Sequence, residues 1–152
     1  MAVTKSDLFM NWTGVTVTYG ATPTVIAIGE VTDMEFDEEI KQEMFYGDNR
    51  RRPKIIRNTE EVTKVKLVGG NAAILNTIPK GEPCTITAIL NDAQNDAGIG
   101  ALTFILKNAY RGKISNKGQN NKFATGDVEF TAAGDDSVSP DSDPLTITQA
   151  TS

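Results

Sequence analysis

The five residues from Asp33 to Asp37 read DMEFD, so acidic and apolar side chains alternate without interruption. Successive side chains of a strand point to opposite faces, and the stretch therefore predicts a β-strand that buries Met34 and Phe36 and exposes the acids. The stretch from Val15 to Tyr19, VTVTY, has the same period, with threonines in place of the acids. This repeated period of two predicts a mainly β fold.

The same alternation continues along most of the chain. Glu38–Tyr46 also contains residues that favour a helix, but its apolar residues share one strand register, which favours a strand. The polar loop Gly47–Pro53 interrupts the pattern with turn-forming residues. The predicted strands are Val15–Tyr19, Val25–Phe36, Glu38–Tyr46, Glu61–Val68, Thr85–Leu90, Ile99–Leu106, Ala109–Ser115 and Phe123–Thr131.

One short helix is predicted at Asn71–Ile78. Asn71 is suited to cap it, Ile74, Leu75 and Ile78 form an apolar stripe, and Pro79 ends it. After Gly134 the composition shifts to Ser, Thr, Asp and Pro. We therefore expect a β domain over residues 1–134 and, over residues 135–152, a C-terminal extension or arm that is mobile or orders against a partner.

Histidine is absent from the 152 residues. Its absence excludes His-dependent triads, Cys–His dyads and most zinc sites, and we predict a protein that is not an enzyme and holds no cofactor or metal. The single cysteine, Cys84, opens a predicted strand and is expected to be a buried thiol. The N-terminus lacks the order of a signal peptide, and no apolar run approaches the roughly 20 residues of a membrane span, so we expect a protein made in the cytoplasm without a membrane partner.

Two polar clusters have simple interpretations. Seven acids crowd the stretch Glu30–Glu43, but they share one stretch instead of facing each other across a sugar as in a glycosidase, and we interpret them as a solvated strand face. The segment Asn91–Asp96 lacks the spacing of a calcium loop and is interpreted as a polar hairpin loop.

The chain has one basic cluster, which three interpretations fit. Successive arginines bind phosphate, but no aromatic residues interleave with them as in a single-strand-binding platform. The cluster is then either a solubilising loop or a hairpin tip that meets an acidic surface on another subunit, and the enrichment of arginine in protein contacts favours the interface. Its members are Arg50, Arg51, Arg52, Lys54 and Arg57.

Taken together, these features resemble the tail tube (major tail) proteins of long-tailed phages and the related tubes of contractile injection systems. The resemblance covers roughly residues 10–135. It rests on the early strand Val15–Tyr19, a long hairpin over Val25–Val68 with a polar tip, the short helix, and a closing strand in GDVEFTAAGD from Gly126 to Asp135.

The resemblance implies a β-sandwich or barrel flanked by one short α-helix, with an extended hairpin loop. It further implies homo-hexameric rings whose inner strands join into one barrel and which stack as a tube through which DNA passes during ejection. The partners would be other copies of the chain, further tail proteins such as the tape measure, terminator and baseplate, and transiently DNA, in a virion tail assembled in the host cytoplasm. The inter-ring stacking loop would comprise Tyr46, Asp48, Arg50, Arg51, Arg52, Lys54 and Arg57.

The acidic strand has a role in this arrangement. Asp33, Glu35 and Asp37 would face the channel, where a negative wall repels DNA phosphates and lets the duplex slide. Other classes also suit a small β protein without histidine. A capsid decoration or other virion surface protein is the main alternative; a carbohydrate-binding module and a carboxylate-only hydrolase are the others.

Overall fold

The structure is a computed structural model that describes residues 11–28, 31–92, 98–134 and 143–151. Glu30, most of the Asn91–Asp96 loop and part of the predicted extension lie outside these residues. The elements are β1 (Asn11–Tyr19), β2 (Thr24–Ala27), β3 (Asp33–Phe45), β4 (Ile55–Asn71), α1 (Ala72–Leu75), β5 (Cys84–Asn91), β6 (Leu102–Lys117), β7 (Thr125–Ala132) and β8 (Leu145–Gln149).

All eight strands belong to one antiparallel sheet with the order β2-β1-β5-β6-β7-β4-β3, and β8 pairs with β6 beside this path. The mainly β class with one short helix and a long hairpin is confirmed. The sheet is curled and is not closed into a barrel. The helix α1 has four residues and is too short to cross a membrane, and no longer helix occurs among the described residues.

The long hairpin is formed by β3 and β4, which pair from Asp33 opposite Val68 to Phe45 opposite Ile55. The strand predicted for Glu38–Tyr46 is therefore confirmed, and it continues the strand that begins at Asp33. A single strand over Val25–Phe36 is wrong, because β2 ends at Ala27 and pairs with β1, whereas β3 pairs with β4. The hairpin thus begins later than the sequence predicted, and its return strand begins earlier.

The strands predicted for Ile99–Leu106 and Ala109–Ser115 are one strand, β6. Asn108 lies inside it with a φ of 55°, which asparagine tolerates better than most residues. Its side-chain amide donates to the backbone carbonyls of Ala133 and Gly134 at 3.0 and 2.8 Å. The bend at Asn108 separates the part of β6 that pairs with β8 from the part that pairs with β7.

The core lies on the concave face of the curled sheet. Three aromatic rings bring β1 and β6 into contact with β3, the last strand of the sheet order: the Phe36 ring on β3 stacks on Phe104 of β6 with centroids 4.8 Å apart, and Trp12 on β1 lies 5.9 Å from Phe36 and 5.2 Å from Phe104. The core residues around them include Val15, Val17, Met34, Val65, Leu67, Ile86, Leu106, Val128 and Phe130.

The short helix covers one end of this core. As predicted, Asn71 caps it, and its side-chain oxygen accepts from the backbone N–H groups of Ala73 and Ile74 at 3.0 and 3.3 Å. Leu75 and Ile78 are buried. Cys84 is buried at the start of β5, as expected, and burial, with a smaller contribution from the Glu82 carboxylate, raises the pKa of its thiol.

The C-terminal part of the chain contributes a strand to the same sheet. Leu145 to Gln149 pair with Leu106 to Leu102 of β6, and Lys107 N–H donates to Pro144 at 2.9 Å. This segment of the predicted extension therefore orders against its own chain. The division at residue 134 remains a prediction.

Replacing Phe36 with alanine is expected to lower the free energy of unfolding by about 2–4 kcal/mol, because the change removes a half-buried ring and its two ring contacts. Chemical denaturation of the purified protein measures this loss. Phe123→Ala is the matched control, since the Phe123 side chain is 95% exposed, and its effect should stay within about 0.5 kcal/mol. Equal losses in the two variants would contradict the stabilising role of the aromatic cluster.

Candidate assembly surface

The outer half of the β3–β4 hairpin projects beyond the core. Every residue from Asp37 to Tyr46 and from Lys54 to Glu61 is exposed, although the same two strands are half-buried or buried at Phe36, Val65 and Leu67. An isolated two-stranded hairpin is marginally stable in water, and three or more strands or a packed layer are needed for more. The projecting half is therefore a surface that a partner would stabilise.

Large apolar side chains are exposed where this hairpin ends. Met44 and Ile56 face each other on one side of the hairpin with 49% and 54% of their surface exposed. Phe45 and Ile55 do the same on the other side with 46% and 49%. Exposed apolar clusters of this kind mark interaction sites. Sequence reasoning described this tip as polar and missed the cluster, although the apolar residues directly flanking the loop were its signal.

The loop at the tip carries the predicted basic residues. Arg50, Arg51, Arg52 and Lys54 are exposed and make no ion pair within the described part of the chain. The loop is held by backbone hydrogen bonds from Lys54 to Phe45 at 2.7 Å and from Arg50 to Gly47 at 3.4 Å. The structure thus gathers these four residues at one end of the molecule.

The other predicted loop residues are placed differently. Arg57 lies on β4 opposite Glu43, and its guanidinium lies 5.8 Å from the centroid of the Phe45 ring. The Tyr46 hydroxyl donates to the Met44 sulfur at 3.8 Å, and Asp48 is exposed in the turn. Arg57 therefore belongs to the side of the hairpin and not to its tip.

The predicted acidic strand is exposed on the face opposite the core. Asp33, Glu35 and Asp37 alternate with the half-buried or buried Met34 and Phe36, as the sequence predicts. Whether this face lines a channel remains a prediction.

Lysines of β4 lie across from these acids, as the sequence also predicts. Lys64 is opposite Asp37, and Lys66 lies between Glu35 on β3 and Glu129 on β7. By the pairing register, six acids and four bases share this face of the hairpin, so it carries a surplus of negative charge. The acids are Asp33, Glu35, Asp37, Glu39, Glu43 and Glu60, and the bases are Lys41, Arg57, Lys64 and Lys66.

Two long strand edges lack a partner among the described residues. The outer edge of β3 is unpaired from Asp33 to Phe45, and the edge of β4 that turns away from β3 is unpaired from Ile55 to Thr63. Unpaired N–H and C=O groups along an edge are a template for pairing with another chain.

A cleft of about 430 Å³ opens where β4 separates from the end of β7 and the start of β8. We call it the acidic cleft. Its lining comprises Glu38, Asn58–Glu61, Thr63, Ala132–Gly134, Asp143 and Pro144.

Reversing the charge of Lys66 with Lys66→Glu is expected to lower the free energy of unfolding by roughly 0.5–2 kcal/mol at low salt, because three carboxylates would then lie side by side across three strands. Chemical denaturation at low and high salt measures the effect. At about 1 M salt the Debye length is about 3 Å and most of the loss should disappear. Lys80→Glu, in an exposed turn, is the control and should have almost no effect. A loss at Lys66 that does not respond to salt would contradict the electrostatic explanation.

No protein-family model matches the chain, and no curated protein matches it. Its fold is similar to solved structures of contractile injection systems. One is the anti-feeding prophage cap, a tube-terminating cap, with 16% sequence identity, a TM-score of 0.47 and coverage of 90% of this chain and 89% of that chain. Another is the PVC sheath–tube complex in the extended state, with 14% identity, a TM-score of 0.47 and coverage of 90% and 88%. A third is the PVC sheath/tube terminator in the extended state, with 14% identity, a TM-score of 0.48 and coverage of 88% and 92%.

Proposed function

We propose that the chain is a structural protein of a tail tube, which assembles with copies of itself into rings that stack. The observation that carries this proposal is the projecting half of the β3–β4 hairpin, which is exposed on both faces and ends in an exposed apolar cluster and four basic residues. In a monomer such a hairpin leaves apolar side chains in water, whereas in an assembly it provides a contact surface for a neighbouring subunit. It also agrees with what the sequence resemblance implies.

Lateral contacts between subunits would use the unpaired edges of the sheet. The free edge of β3 is 13 residues long, well above the usual 5–6 residues of a strand. Pairing such edges around a ring removes them, as closure does in any barrel. Six subunits per ring is the number that the resemblance implies.

The face with the acidic strand would line the channel. Its surplus of negative charge would repel DNA phosphates and keep the passing duplex from binding. The proposed role includes no catalysis and no cofactor. Further tail proteins and, transiently, DNA are the proposed partners, and the virion tail is the proposed location.

Purified protein is expected to form rings or tubes at high concentration, because only assembly covers the unpaired edges and the apolar tip. Negative-stain electron microscopy and sedimentation velocity measure this. A strictly monomeric species in both experiments would argue against the proposal. Compact trimers without rings would favour a capsid decoration protein instead.

Replacing Arg50, Arg51 and Arg52 together with serine should leave the melting temperature within a degree or two of that of the wild type and shorten the tubes, because the loop is exposed but lies at the proposed contact between rings. Tube lengths in micrographs give the readout. The control replaces Lys113, Lys117 and Lys122 with serine, which removes the same charge from exposed positions at the other end of the sheet. Tubes of unchanged length in the arginine variant would refute a stacking role for the loop.

A further inference from the structure

The acidic cleft exists because two strands that run side by side then separate. Lys64 of β4 pairs with Thr131 of β7, but from Thr63 towards Ile55 β4 has no partner on this side among the described residues. β7 ends at Ala132, and the chain is tied to β6 by the Asn108 amide before β8 resumes the pairing with β6. The cleft therefore lies between an unpaired strand edge and a wall that the core holds in place.

The lining of the cleft is polar and negatively charged. Glu38 and Glu61 lie on the same face of the hairpin as Thr63, and Asp143 lies on the opposite wall, where it accepts from the Leu145 N–H at 3.0 Å. These three carboxylates have no ion-pair partner among the described residues, whereas Glu60 pairs with Lys41 at 3.2 Å. The three unpaired carboxylates therefore make the acidic cleft a favourable site for a positively charged group.

A buried polar group lies at the inner end of the cleft. Thr63 is 4% exposed, lines the cleft, and has no side-chain hydrogen bond to another described residue. Because Thr63 lines the cleft, its hydroxyl is available to accept a hydrogen bond from a group that enters the cleft. The cleft therefore offers an incoming donor one hydroxyl, three carboxylates and an unpaired strand edge.

The chain itself carries a matching set of donors. Arg50, Arg51, Arg52 and Lys54 are exposed at the tip of the same hairpin and are without ion pairs in the described structure. Arginine suits this cleft better than lysine does, because its planar fork donates to carboxylates in pairs and is weakly hydrated. Lys54, directly before β4, and Glu61 on β4 are seven residues apart, or roughly 23 Å of extended strand, so a rigid hairpin cannot fold its own loop back onto the carboxylates of its own cleft.

We propose that the acidic cleft is the receptor for the arginine loop of a second copy of this chain. The inference rests on the proposed function and deepens it, because it names the surface that receives the stacking loop. The donor and the acceptor are different surfaces at different heights of one molecule, so the contact is heterologous. A heterologous contact that does not close on itself repeats without limit, which is the requirement for a growing tube.

A pair of engineered cysteines tests the contact directly. In the double variant Arg51→Cys, Glu61→Cys each copy carries one thiol in the loop and one at the cleft, so a short bis-maleimide should join copies into a ladder of covalent multimers on a denaturing gel. Each single variant should give dimers at most. The native Cys84 is buried with a raised thiol pKa and should not react.

The control is Arg51→Cys, Lys80→Cys, in which the second thiol lies in an exposed turn away from the cleft. An equal ladder in this control, or rings and tubes without any ladder in the test variant, would overturn the cleft assignment and leave the proposed function standing. A cleft-specific ladder from protein that forms no rings would support the contact and refute the ring. Absence of both would refute both.

A charge exchange tests the same contact without new cysteines. Glu38→Lys, Glu61→Lys places arginine loops against a basic cleft, and Arg50→Glu, Arg51→Glu, Arg52→Glu places acidic loops against an acidic cleft. Like charges in contact repel each other, so each variant alone should stack at least about tenfold less than the wild type. An equimolar mixture should stack again, because each loop then finds a cleft of opposite charge. A mixture that behaves like its separate components would overturn the proposal.

Discussion

The structure depends on one ladder of backbone hydrogen bonds, the pairing of β3 with β4. Its inner half is part of a sheet with a buried face, where Met34, Phe36, Val65 and Leu67 pack into the core. Its outer half keeps the same register but has no layer beneath it. The inner half holds the outer half in place, so the hairpin presents an ordered surface at a distance from the core that stabilises it.

The aromatic cluster of Trp12, Phe36 and Phe104 sets the shape of the sheet. It brings β1, the second strand of the sheet order, into contact with β3, the last strand, without a ladder between them. The sheet is therefore curled but open, and its end strands keep free edges. In a monomer an open edge exposes unpaired N–H and C=O groups and favours aggregation, whereas in an assembly the same groups pair with a neighbouring subunit. The same geometry that leaves β3 unpaired thus makes it available to a neighbouring copy.

The charged side chains of the hairpin change in type from its base at the core to its tip. Acids and lysines alternate across the strands near the core, carboxylates collect in the acidic cleft, and arginines occupy the tip. Opposite charges on separate parts of one rigid element cannot neutralise each other within the molecule. They are satisfied by solvent in the monomer and by another copy in an assembly.

The sequence by itself determined the strand pattern, the faces of β3 and the cap of the helix, because each depends on neighbours within a few residues. The alternation from Asp33 to Asp37 predicted which side chains are buried, and Asn71 predicted the start of α1. Tertiary structure decided what local patterns do not contain: that β2 leaves the hairpin to pair with β1, that β6 passes Asn108 unbroken, and that β4 separates from β7 to open a cleft. Each of these features depends on which distant segments of the chain pair with each other. The alternation of polar and apolar side chains does not determine this, because a strand shows the same alternation whichever strand lies beside it.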